Sequence, residues 1–145
     1  MSMVDVSAKE EIFREAIASG TIRLKEETIH LINAGKIAKV DPLYTAKIAG
    51  VLAAKKTSNL IPLCHPLPLT NVQVDVKVAD QGTVLVSAIV KARAQTGVEM
   101  EALTAVSMAL LTVWDMTKQY EKDSNGQYPS TAIENIHVER KIKKA

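Results

Sequence analysis

From Ala102 to Trp114 the chain reads ALTAVSMALLTVW, a run without a single charged residue. It is too short to cross a bilayer and too evenly apolar for a surface helix. Just ahead lies Thr96-x-x-Glu99, the pattern of a capping box, in which the hydroxyl and the carboxylate each satisfy an orphan amide. The pattern predicts a helix over Thr96–Lys118, buried on most of its circumference. Burial of Leu103, Leu110, Leu111 and Trp114 should stabilise the fold by roughly 1.5–3 kcal/mol each. The small residues Ala102, Thr104, Ala105, Ser107 and Ala109 would let a second backbone approach closely. The run ends in Asp115-Met116-Thr117-Lys118, where Asp115 and Lys118 share a face. Alone, such a pair reads as a surface ion pair at a fraying helix end.

Upstream, residues 1–10 read as loose until they meet a partner surface. Ala16-x-Ala18-x-Gly20-x-Ile22-x-Leu24 alternates and predicts a strand over about 15–24. Lys25–Ala34 reads as a short helix with Ile29 and Ile32 inward and Gly35 as its left-handed stop. Asp41-Pro42 starts a second helix, which runs to Lys55-Lys56. Val72, Val74, Val76 and Val78 alternate with polar residues, Asp80-Gln81-Gly82 turns the chain, and Val84, Val86, Ala88 and Val90 form the inner face of a return strand. After the long helix, 122–130 is a polar loop. Thr131–Ile142 alternates as a last strand, leaving Lys141–Ala145 as a solvated basic tail. The order is that of a ferredoxin-like α+β fold: an antiparallel four-stranded sheet with helices packed on one face. The 145 residues suffice for one domain over 1–145. Fold alone does not assign an activity.

A second unusual stretch is Leu60–Leu69, LIPLCHPLPL. Pro62, Pro66 and Pro68 exclude a helix and disfavour a central strand, while the apolar residues argue against a flexible surface loop. It reads as a stiff, partly buried connection that fixes Cys64 and His65. A lone histidine in apolar surroundings is more often structural, but a proline-braced loop presenting Cys-His suggests a displayed imidazole. Cys64 reads as an inert thiol, because adjacent side chains diverge and make a poor nucleophile–base couple. His30, His65 and His137 lack metal-ligand spacing, which argues against a metal site.

Composition narrows the class further. A net charge of +2 and 3% aromatics speak against nucleic-acid binding. A single cysteine excludes an internal disulfide and a Cys-rich zinc site. Charges throughout the first fifteen residues leave no apolar stretch for a secretory signal, so a cytoplasmic protein without a membrane segment is expected. Geometry adds a constraint. Glu101 and Asp115 lie fourteen residues apart, nearly on one side of a helix but separated by about 21 Å. If both serve one small ligand, they come from different subunits.

The motifs LIPLCHP (Leu60–Pro66), TGVEMEALT (Thr96–Thr104) and Asp115-Met116-x-Lys118 together resemble the MoaC family of cyclic pyranopterin monophosphate synthases, which act in molybdenum cofactor biosynthesis. Met3–Ser7 and the Ala46–Lys55 helix are similar to that family too. The resemblance covers nearly the whole chain to about Lys122. It implies conversion of 3′,8-cyclo-7,8-dihydroguanosine 5′-triphosphate to cyclic pyranopterin monophosphate with release of pyrophosphate, without a redox cofactor. It implies a homohexamer, a trimer of dimers, with sites at subunit contacts. It places the catalytic aspartate at Asp115 and the catalytic lysine at Lys118. Substrate-binding positions fall on Leu63, Cys64 and His65, on Met100 and Glu101, and on Lys39. Their place at the end of an uncharged helix predicts that desolvation shifts the pKa of both Asp115 and Lys118. Many members end in Ser-Gly-Gly-Lys-Ser-Gly; this chain does not, so any closing role would pass to Lys141, Lys143 or Lys144. The rival reading is a non-catalytic ferredoxin-like module that binds a small ligand, which leaves the Asp–Lys pair and the locked Cys-His loop without a purpose.

Overall fold

The computed structural model describes residues 1–145. Strand β1 (Ile12–Arg23) is followed by helix α1 (Glu26–Asn33), helix α2 (Pro42–Lys55) and the single turn α3 (Thr57–Leu60). Strands β2 (Leu69–Ala79) and β3 (Thr83–Ala94) form a hairpin, and the long helix α4 (Glu99–Glu121) leads into strand β4 (Ala132–Lys144). The sheet order is β2-β3-β1-β4 with every pair antiparallel, the ferredoxin-like plan expected from the alternation.

Alternation decides which face is buried. Ala16, Ala18 and Ile22 of β1 stand beside Val84, Val86, Ala88 and Val90 of β3, all fully buried. Ala102, Ala105, Val106, Ala109, Leu110 and Val113 of α4 cover them from one side. Two glycines set how closely the layers approach. A Cβ on Gly20 would lie 3.0 Å from Leu110 Cδ1 and Ile136 Cγ1, so β1 can press against α4 only without one. A Cβ on Gly50 would lie 3.1 Å from the Ala105 carbonyl, so the small residues of α4 do admit a second backbone, that of α2.

Local signals hold at several ends. Asp41 Oδ1 accepts the Leu43 amide at 2.9 Å with Pro42 opening α2, and Gly35 adopts a φ of +68° after α1. The capping box does not form. Val98 precedes α4 without a side-chain cap, and the helix begins at Glu99 rather than Thr96. Val98 is 1% exposed, so its burial in the core fixes the entry, and Glu99 turns outward to pair with Lys141 Nζ at 3.4 Å. The expected burial of most of the helix circumference is also corrected. One stripe of α4 is buried, whereas Leu103 and Trp114 are half-buried and Leu111 is exposed, because the sheet and α2 cover only part of the rod. The basic tail is solvated as expected, its three lysines exposed, but the last strand runs past Ile142: β4 extends to Lys144, which pairs with Phe13.

Two polar residues fasten the ends of the site-bearing elements. Arg14 is buried and donates from Nε to the Ala94 carbonyl and from Nη2 to the Gln95 carbonyl, both at 3.3 Å, which pins the exit of β3. Glu121, fully buried at the last turn of α4, accepts from the Lys25 amide at 3.0 Å, from Thr131 Oγ1 at 2.6 Å and from Thr28 Oγ1. Its carboxylate sits at the start of α1, where the helix dipole favours negative charge.

Candidate active site

The residues singled out in the sequence gather in two places, one at each end of α4. At its C-terminal end, Asp115 Oδ2 lies 2.9 Å from Lys39 Nζ and Asp115 Oδ1 lies 3.0 Å from Lys118 Nζ. Lys39 Nζ also donates to the Asp115 carbonyl at 3.2 Å. Lys39 comes from the loop between α1 and α2, so the fold joins what the sequence separates by 76 residues. The Tyr120 hydroxyl holds that loop, accepting the Ala38 amide at 2.7 Å. Trp114, Asp115, Lys118 and Tyr128 line a hollow of about 460 Å³ together with Leu111 and Ile133. The Trp114 and Tyr128 rings pack 5.2 Å apart at 55°.

The expected desolvation of this pair is not seen in the single chain. All three charged groups are about half exposed. The Lys39 ammonium, then that of Lys118, hold the Asp115 carboxyl below the usual range, and the Asp115 carboxylate holds the Lys118 ammonium above its own. Pairing, not burial, moves both pKa values, because the helix reaches solvent before it ends. Both groups are therefore ionised at neutral pH, one a fixed anion between two cations.

At the N-terminal end, Leu63, Cys64, His65 and Met100 line a second hollow of about 440 Å³ with Thr96 and Gly97. In the proline-rich connection Ile61, Cys64, His65 and Leu67 are half-buried while Leu60, Leu63 and the three prolines are exposed, and the Cys64 amide donates to the Ile61 carbonyl at 3.2 Å. His65 Nε2 lies 2.7 Å from the Val4 carbonyl, so the N-terminal residues expected to be loose fold back onto this end. Burial, with Glu101 adding to it, pushes the Cys64 thiol up, which disfavours the thiolate and fits an inert cysteine. Glu101 is 3% exposed, and its Oε1 has no hydrogen-bond partner. Burial, reinforced by Glu99, raises the Glu101 carboxyl above the usual carboxylate range. Since α4 is one unbroken helix, Glu101 and Asp115 stand about 21 Å apart along it. One chain therefore does not bring His65 and Glu101 to Asp115 and Lys118.

Sequence reading missed Tyr120 and Tyr128. The signal was present: with so few aromatics, a tyrosine in the last turn before the polar loop and another within it are unusual tenants of such a segment. No group of three or more His, Cys, Asp or Glu side chains is placed to hold a metal ion, and no helix is long and apolar enough to cross a membrane.

Fold and geometry together define a class: a ferredoxin-like α+β protein with an ionised carboxylate–lysine cluster at one tip of its central helix and an imidazole hollow at the other. Such an arrangement suits anion binding and proton transfer on a small molecule. The chain belongs to the MoaC family, whose model matches residues 3–144. It is 55% identical over 141 residues to a protein of Sulfolobus acidocaldarius, covering 97% of this chain and 98% of that one. It is 55% identical over 143 residues to one of Thermococcus kodakarensis, covering 99% and 91%. A relative from Methanococcoides burtonii is 52% identical over 141 residues, covering 97% and 88%. Each of these proteins is named a probable cyclic pyranopterin monophosphate synthase.

Proposed function

We infer that this chain is a cyclic pyranopterin monophosphate synthase of molybdenum cofactor biosynthesis, a lyase that forms its product from 3′,8-cyclo-7,8-dihydroguanosine 5′-triphosphate and releases pyrophosphate. Family membership over nearly the full chain supports the activity. The observation that carries the site is the convergence of Lys39 and Lys118 on Asp115 at 2.9 and 3.0 Å, from separate parts of the sequence.

In this reading Asp115 and Lys118 are the general base and acid for opening the imidazole ring and rebuilding the pyranopterin. Lys39 holds Asp115 in place with two of its donors and offers the third, and its charge, to the substrate. His65, Cys64 and Leu63, with Met100, hold the purine and sugar in the hollow they line; Glu101, the remaining substrate-binding position, is buried and is not among the residues that line it. Closing the cyclic phosphate expels pyrophosphate, and holding the chain of reacting atoms in place lowers the entropic barrier to that closure. The whole of 1–145 acts as one catalytic domain.

A complete site takes its two halves from different subunits of a homohexamer. Exposed Tyr44, Ile48 and Leu52 on one stripe of α2, with Leu111 of α4, supply apolar surface for such an assembly. A neighbouring chain laid over Asp115 and Lys118 would remove water from both and make proton transfer between them and substrate feasible. The test is pyrophosphate release from the cyclised guanosine triphosphate. Asp115→Asn and Lys118→Ala should assemble normally and lose turnover; near-normal turnover removes the altered residue from the mechanism. Mixing inactive Glu101→Ala chains with inactive Asp115→Asn chains should restore part of the activity, and no recovery in well-mixed oligomers would place the site in one chain.

A further inference from the structure

We propose that the N-terminal arm, residues 1–11, is a strap that walls the His65 hollow and fixes the tautomer of His65 through the Val4 carbonyl. The arm forms no strand or helix before β1 begins at Ile12. It is bent back by local bonds: Asp5 Oδ1 accepts the Ser7 amide at 2.9 Å, and the Lys9 amide donates to the Val6 carbonyl at 3.0 Å. Gln95 Nε2 then ties the Lys9 carbonyl at 3.3 Å, at the segment that Arg14 already pins. The bend delivers the Val4 carbonyl to His65 Nε2 at 2.7 Å. Val4 itself is 74% exposed, so burial does not hold it there; the polar contact does.

A carbonyl oxygen only accepts, so Nε2 must carry the hydrogen. In the neutral ring Nδ1 is then the acceptor, and the bond at Nε2 opposes rotation of the imidazole about its Cβ–Cγ bond. Val4 is thus a positioning residue for His65. Val4, Val6 and Lys9 line the hollow together with Cys64 and Met100, and Lys9 is the one lysine or arginine among the lining residues. The strap therefore adds a wall and a cation to a half-site whose other charged lining group is Glu99. This rests on reading the hollow as part of the substrate site.

Two variants test it: deletion of residues 1–5, and Asp5→Ala in the full chain, which frees the bend while keeping the carbonyl. Nitrogen-resolved NMR of the imidazoles needs no substrate. The parent chain should show a His65 Nε2–H signal protected from exchange, assigned by its absence in His65→Gln. Deletion should abolish that signal and raise KM about tenfold with kcat little changed, and Asp5→Ala should do the same to a lesser degree. Circular dichroism of both should match the parent, since the arm adds no regular structure. A protected signal that survives the deletion overturns the tautomer assignment, and an unchanged KM overturns the wall. A parent chain that shows the signal but no turnover would overturn the functional reading and leave the Val4–His65 contact standing.

Discussion

Glu101 is the residue whose replacement speaks most directly about the energetics of this site. It is buried, one carboxylate oxygen has no partner, and burial raises its pKa. A carboxyl with a higher pKa in the folded chain binds its proton more tightly there. Between the ordinary value of 4.5 and the raised one, folding takes up a proton, so stability falls as pH rises through that window. Below the window both states are protonated and the penalty disappears; above it the penalty is complete. Glu101→Gln keeps the shape and removes the charge. An orphaned buried oxygen costs about 1–3 kcal/mol, and the amide retains part of that, so the variant should gain about 1 kcal/mol at alkaline pH. For a chain of this length the gain corresponds to a rise in Tm of roughly 2–4 °C. Urea denaturation at about pH 4 and about pH 8 measures it: the gap between parent and variant should be near zero at the lower pH and open at the higher. A variant less stable than the parent at about pH 8 would show that the carboxylate is paired, and a gap the same at both would show that folding does not shift its titration; either result refutes the reasoning. Turnover should fall even as stability rises, the usual trade at a site held ready for a ligand.

Glu121→Ala leaves the Lys25 amide and the Thr28 and Thr131 hydroxyls without their buried acceptor, and should destabilise by about 2–4 kcal/mol, read as a lower urea midpoint. Gly50→Val drives a branched side chain into the Ala105 carbonyl and should cost about 2–3 kcal/mol, measured the same way; an unchanged midpoint would mean that α2 and α4 are not in close contact there. The Asp115 carboxyl should titrate below its ordinary 3.8, and Lys39→Ala should move that midpoint up more than Lys118→Ala does, because Lys39 is the larger cause. Carbon-13 NMR of the carboxyl follows both. The stability this pairing lends is present above pH 3.8 and lost as pH falls through the depressed value.

Much of the fold was legible because it rests on patterns that neighbours in sequence share. Alternating valines and alanines placed β1, β2 and β3, and Asp41-Pro42 and Gly35 punctuated the helices within a residue or two. The capping box at Thr96 misled because core burial of Val98 outweighs a local pair of hydrogen bonds. Exposure of Asp115 and Lys118 was misjudged for a related reason. An uncharged run says that a helix is wanted by something apolar, but not whether the same chain or another supplies the cover. Lys39 was placed by resemblance, and its contact with Asp115 depends on a loop held by Tyr120, which no local pattern announces. Glu121 looked like one more charge at a helix end; only three donors arriving from two other elements make it a buried anchor.

The unbroken rod of α4 has a stoichiometric consequence. If complete sites take their halves from two chains, as proposed, every protomer contributes one of each half and none completes a site alone. Two rods laid head to tail in opposite directions would match each tip with its complement at both ends. Complete sites would then equal protomers in number, with no half left idle, and any chain removed from the set would silence two sites rather than one.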